Sequence, residues 1–204
     1  MSKQIRVFLT IFLFVISGWA IINLVEAQQE SAPLSVSAIV QTWLNFDVST
    51  TTLPLSPDLV DLAGNLNIAS STVVSVYVGT NHNTGWSLSI SSTSTSCPGS
   101  KLVSGQNYIG MSTPTSTVTT GQDAYGLNAT STLNGVQIGS YYNFWGSSPI
   151  IVGEICSNGQ TLAFSNQPHP LQEALKIKFY ASCDRDQPSG TYTDTVVLTL
   201  TPGT

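Results

Sequence analysis

An all-β sandwich is the fold class the sequence predicts, and three observations predict it. Residues 190–204, GTYTDTVVLTLTPGT, alternate: Tyr192, Asp194, Val196, Leu198 and Leu200 fall on one face, and Thr193, Thr195, Val197, Thr199 and Thr201 on the other. A period of two is the mark of a strand buried on one side and wet on the other. Charge is scarce, with Asp, Glu, Lys and Arg at 8% of the chain, whereas a helical protein draws heavily on Glu, Lys, Ala and Leu. Ser, Thr, Asn and Gly separate the apolar runs, as they do in turns and on solvated strand faces.

At the N-terminus, Lys3 and Arg6 precede an apolar run over residues 7–25 and the small residue Ala27. That order predicts a secretory signal over residues 1–27, cleaved after Ala27. The run is close to the ~20 residues that cross a bilayer, so an uncleaved anchor is the alternative. Either way the remaining chain is expected to be secreted, extracellular or at the cell surface. Removing residues 1–27 takes Lys3, Arg6 and Glu26 from the six basic and eleven acidic residues, leaving four against ten, a net charge of −6. A surface of that sign repels nucleic acid, whose phosphates call for clustered Lys and Arg.

A first strand is expected from Pro33 onward, with Leu34, Val36, Ala38, Val40, Thr42 and Leu44 on one face and Ser35, Ser37, Ile39, Gln41 and Trp43 on the other. Residues 45–48 extend it, and Pro54 and Pro57 break the pattern beyond them. Residues 58–68 read as a loop with short edge-strand character, ended by Gly64-Asn65. Two strands come next, at residues 71–79 and 85–91, joined as a hairpin or as a corner between sheets, with Trp86, Leu88 and Ile90 alternating with serines. Trp43 and Trp86 are both expected in the core. Periodicity fades over residues 104–146, so no strands are assigned there. It returns at residues 148–156, and Ser157-Asn158-Gly159 predicts a hairpin turn into residues 160–165. Residues 171–183 make a long strand with Lys176 and Lys178 on one solvated face.

The cysteines are Cys97, Cys156 and Cys183. An odd count outside the cytoplasm leaves one thiol free or paired between chains. Cys156 and Cys183 each close an apolar run, so neighbouring strand ends and a Cys156–Cys183 disulfide are expected. Their wide spacing argues against a zinc site.

No catalytic chemistry stands out, and neither a cofactor nor a metal is expected. Ser87 within Gly-Trp-Ser-Leu-Ser lacks the last glycine of a nucleophile elbow and lies inside a strand. His82 and His169 sit in polar loops without a partnered motif. Asp184-Arg185-Asp186 offers loop carboxylates to calcium but lacks EF-hand spacing, and Arg185 neutralises them locally. Asn128-Ala129-Thr130 is an N-glycosylation sequon.

Two stretches carry binding hypotheses. Tyr141, Tyr142, Phe144 and Trp145 form the densest aromatic run; exposed, they would stack on sugar rings of a surface polysaccharide, and otherwise they cover an open sheet end. The segment 28–48 is an extended, amphipathic strand behind a polar leader. Either it begins its own sandwich over residues 49–204, or it pairs with the open edge of a neighbour. Leu34, Val36, Ala38, Val40, Thr42 and Leu44 would then fill the neighbour's groove, and head-to-tail repetition would give a homopolymer.

The segments TNHNTGWSLSIS (residues 80–91) and PSGTYTDTVVLTLTP (residues 188–202), after VSAIVQTWLNFDVS (residues 36–49), resemble prokaryotic cell-surface β-sandwich modules. The closing segment, with Gly-x-Tyr-x-Asp opening the last strand, is similar to that of spore-coat-protein-U-type pilin domains. Gly85-Trp86 with the C-terminal strand also resembles WxL-type wall-binding domains. The resemblance covers both ends and leaves about residues 97–148 unmatched. It implies an immunoglobulin-like β-sandwich of about seven to ten strands with an elaborated middle region. It further implies a non-enzymatic surface protein, a pilus-like or thread-like filament subunit joined by strand complementation. The alternative is a monomeric cell-wall or carbohydrate-binding module.

Overall fold

A computed structural model describes residues 37–204. The expected signal, the possible anchor over residues 7–25, and Leu34 and Val36 lie outside the described residues. The chain divides into two units, Met1–Val40 and Gln41–Thr204. In the first, residues 37–40 are exposed and form no strand.

The second unit is all-β, with no helix among the described residues and only antiparallel pairings. Its strands are β1 (Leu44–Val48), β2 (Ala69–Ser70), β3 (Val74–Thr80), β4 (Trp86–Ser92), β5 (Ser100–Ser104), β6 (Asn107–Met111), β7 (Thr115–Thr117), β8 (Ala124–Thr130), β9 (Val136–Ile138), β10 (Ile151–Gly153), β11 (Gln160–Ser165), β12 (His169–Ser182) and β13 (Val196–Pro202). The large sheet runs β1-β3-β12-β8-β10-β7, with β2 also on β12; the second runs β13-β4-β11-β9; β5 and β6 form a hairpin.

Alternation decides which side chains face inward. Val74, Val76 and Val78 of β3, and Leu175, Ile177 and Phe179 of β12, meet Trp86, Leu88 and Ile90 of β4 in one core. Ser87, Ser89 and Ser91 of β4 turn outward. On β12, Lys176 and Lys178 share the outer face, the first 3.3 Å from Glu173 and the second over the Tyr180 ring. Strand β8 is buried over six of its seven residues because both its faces are covered: Tyr125, Leu127 and Ala129 face the main core, and Ala124 a second cluster with Met111, Val118 and Val152. Gly126 is required there: a Cβ would come within 2.4 Å of Gly153 O.

Several expectations are corrected. The strand expected over residues 34–44 begins at Leu44; Ala38, Val40 and Thr42 are exposed and outside any strand, and Leu44 pairs with Thr80 of its own sheet. The link between β3 and β4 is the corner, not the hairpin, since the strands lie in different sheets. Gly85 makes it with φ +74°, where a Cβ would fall 1.9 Å from Ser165 O. Ser157-Asn158-Gly159 likewise joins β10 of one sheet to β11 of the other, so it is not a hairpin turn. Trp86 is core, whereas Trp43 is 44% exposed.

The disulfide joins Cys97 to Cys156, with Cα atoms 5.0 Å apart, and Cys183 is free and buried. The expected Cys156–Cys183 bridge fails because β8 lies between β10 and β12. Two strand spacings, about 9.6 Å, exceed what a disulfide spans. Hydrogen bonds from Ser92 N to Cys156 O and from Ser157 N to Thr95 O instead bring residues 92–97 alongside Cys156.

Candidate functional site

β1 and β13 each end a sheet, and between them lies a cleft of about 1170 Å³. Its floor is apolar: Val74, Ile177 and Phe179 from the large sheet, Leu102 and Ile109 from the hairpin, and Tyr125. One rim carries Phe46 and Val48, the other Val196 and Leu198. These rim residues point inward like core residues yet remain half-buried.

The sequence explains why the large sheet stops here. Ser49 makes the last rung beyond β1, its N–H donating to Ser75 O. Three threonines and Pro54 then leave the ladder, and the chain bridges back only at Ser56, opposite Ser70. Pro54 and Pro57 have no N–H to give a further strand. Leu53, Leu55 and Leu59 therefore line the cleft half-buried.

Asp58 and Arg185 also line the cleft, and Asp194 is the acid on the inward face of the last segment, where two donors account for it. Ser92 Oγ donates to it at 2.6 Å and Tyr125 Oη at 3.2 Å. Burial, then the Asp194 charge, pushes the Tyr125 phenol well above its ordinary value. At the end of β12 the Cys183 thiol is pushed up by burial first, and by Asp123 and Asp184 next. Burial also raises Asp123, although its carboxylate accepts the Asp184 N–H at 3.0 Å.

The aromatic run does not form one strip. Tyr142 is fully buried, its hydroxyl donating to Glu154 O at 2.8 Å, and burial raises its pKa. Tyr141 is exposed and Phe144 half-buried, while Trp145 is 37% exposed. Tyr141 borders a shallow depression of about 610 Å³ with Phe164, Ser87, Gln160 and Asn166.

Other candidates find local roles. Asp186 N donates to Asp184, so that carboxylate caps its own loop. His169 Nε2 lies 2.8 Å from Ser165 Oγ, and His82 Nδ1 2.8 Å from Thr84 Oγ1. Asn128 of the sequon is 2% exposed inside β8, which closes it to glycosylation once folded.

Pattern reading missed the cleft because Phe46, Phe179 and Leu198 carry the same alternation as any core residue. Asp194 was the available signal, an acid on an apolar face demanding polar partners at depth. No protein-family model matches the chain, and neither does any curated protein or solved structure. What fold and site define is a class: an antiparallel all-β protein with an apolar cleft between two unpaired strand edges.

Proposed function

We propose that the chain is a secreted structural subunit of a cell-surface filament with an immunoglobulin-like sandwich fold. In it, residues 34–40 of one copy lie in the cleft of the next, while Leu44 stays paired with Thr80 of its own sheet. One observation carries this reading: the 1170 Å³ cleft between β1 and β13, whose inward rim residues are half-buried. A strand laid there gains backbone hydrogen bonds from an open edge and covers apolar surface. The segment suits an apolar floor because LSVSAIVQTWL carries no charge, and Ile39 and Val40 are 93% and 82% exposed. The secreted protein is expected to form filaments in negative-stain micrographs, and deletion of residues 28–40 is expected to abolish them. A synthetic peptide of residues 33–44 should then bind the shortened protein; a wild type that stays monomeric at high concentration sinks the reading.

A second reading is a monomeric module that binds surface polysaccharide. The exposed Tyr141 ring beside Phe164 and the amides of Gln160 and Asn166 favours it. Tyr141→Ala and Trp145→Ala would then weaken retention on a polysaccharide column and leave assembly unchanged.

A further inference from the structure

We infer that residues 41–43 are a splint that commits the N-terminal segment to a second copy of this chain and denies it the chain's own cleft. The inference rests on the filament reading and adds what makes donation intermolecular. Asn81 acts there as a substitute peptide. Trp43 N–H donates to its Oδ1 at 2.7 Å, and its Nδ2 donates to Gln41 O at 2.8 Å. Thr80 Oγ1 donates to Trp43 O at 2.8 Å. The Trp43 ring takes the space left by Gly79, where a Cβ would stand 2.9 Å from that ring and 2.7 Å from the Leu171 backbone. Residues 41–43 are thereby held past the last paired residues of β1, Leu44 and Thr80.

Direction matters next. The cleft is lined by Phe46 and Val48 but not by Leu44, so β1 runs from the splint toward it. To enter its own cleft the preceding chain must reverse, and a two-residue strand-to-strand reversal favours Gly, Asn or Asp at its centre. Residues 34–43 contain none of these. With residues 41–43 held by Asn81 and Thr80, the reversal would have to use residues 37–40. That would take Ala38 and Val40 out of any inserted strand.

The test compares the secreted wild type with Asn81→Ala and Asn81→Asp, using light scattering for assembly. Fluorescence polarisation with a labelled peptide of residues 33–44 reports whether the cleft of the monomer fraction is open. Asn81 is half-exposed, and an unchanged near-UV circular dichroism spectrum checks the fold. Two hydrogen bonds worth about fivefold each predict that Asn81→Ala raises the monomer-to-polymer ratio about twenty-five-fold. Those monomers should refuse the peptide, their clefts being self-filled. Asn81→Asp keeps the bond from Trp43 and should fall between. Asn81→Ala protein that assembles like wild type, or that stays monomeric yet takes up the peptide, overturns the inference and leaves the filament reading standing. A wild type that stays monomeric at high concentration brings down the filament reading and the inference with it.

Discussion

Two flanks of the same core differ in a way that alternation alone does not reveal. Around β4, β11 and β12 the inward residues Leu88, Leu162 and Leu175 have essentially no exposure. At β1 and β13 the equally inward Phe46, Val48 and Leu198 are half-buried. β4, β1 and β13 share the same period of two, which bulges interrupt in β11 and β12, and only the first group has neighbours on all sides. Alternation states which face seeks cover; sheet order states whether it is found.

The largest effect should come from the covalent tie on the closed flank. Replacing Cys97 and Cys156 by Ala opens a loop with a sequence separation of 59 and should cost about 4 kcal/mol by chain-entropy arithmetic. Urea unfolding of the double variant measures it, and a loss near zero would mean the loop is restrained by other contacts. Next, Leu88→Ala should cost about 3 kcal/mol, against about 1 kcal/mol for the half-buried Leu198→Ala in the monomer. Equal losses would erase the contrast between flanks. In the proposed filament Leu198→Ala should lose more than in the monomer, since the inserted strand would cover it.

Smaller effects sharpen the cleft floor. Tyr125→Phe removes one donor to Asp194 while Ser92 keeps the other, so about 1 kcal/mol is expected in urea unfolding. Cys183 sets a pH dependence. In the unfolded chain the thiol ionises near its ordinary 9.0, while burial keeps it protonated to higher pH in the fold. Its contribution is complete below 9.0 and is lost as pH rises from there through the folded value. Tyr125 and Tyr142 add to the loss above their ordinary value of 10.0. Cys183→Ala should therefore lose less of its stability than wild type between pH 8 and 10, read as urea midpoints across about that range.

The β class was legible because β3, β4, β12 and β13 state their faces in valines, leucines and serines. The middle was not legible, and β8 shows why. AYGLNAT is buried on both sides, so it has no wet face to alternate against and reads as featureless. The cysteine pairing depended on strand order, which no run of residues spells out. The extent of the first strand was misread because residues 34–43 have the pattern of a half-buried strand, whereas the described part of them forms none. The cleft was invisible for a related reason: it is made by the absence of a neighbour, and a missing neighbour leaves no residue to read.

The Cys97–Cys156 disulfide encloses β5 through β10, the region least defined by its pattern. A protease that nicks an exposed turn there, such as the one at Gly105-Gln106, leaves both new ends on a single covalent molecule. Under non-reducing conditions such a nicked protein should migrate and be weighed as one chain, and only a reductant should release its fragments. A cut in that region is then a local break in the backbone that leaves the molecule whole.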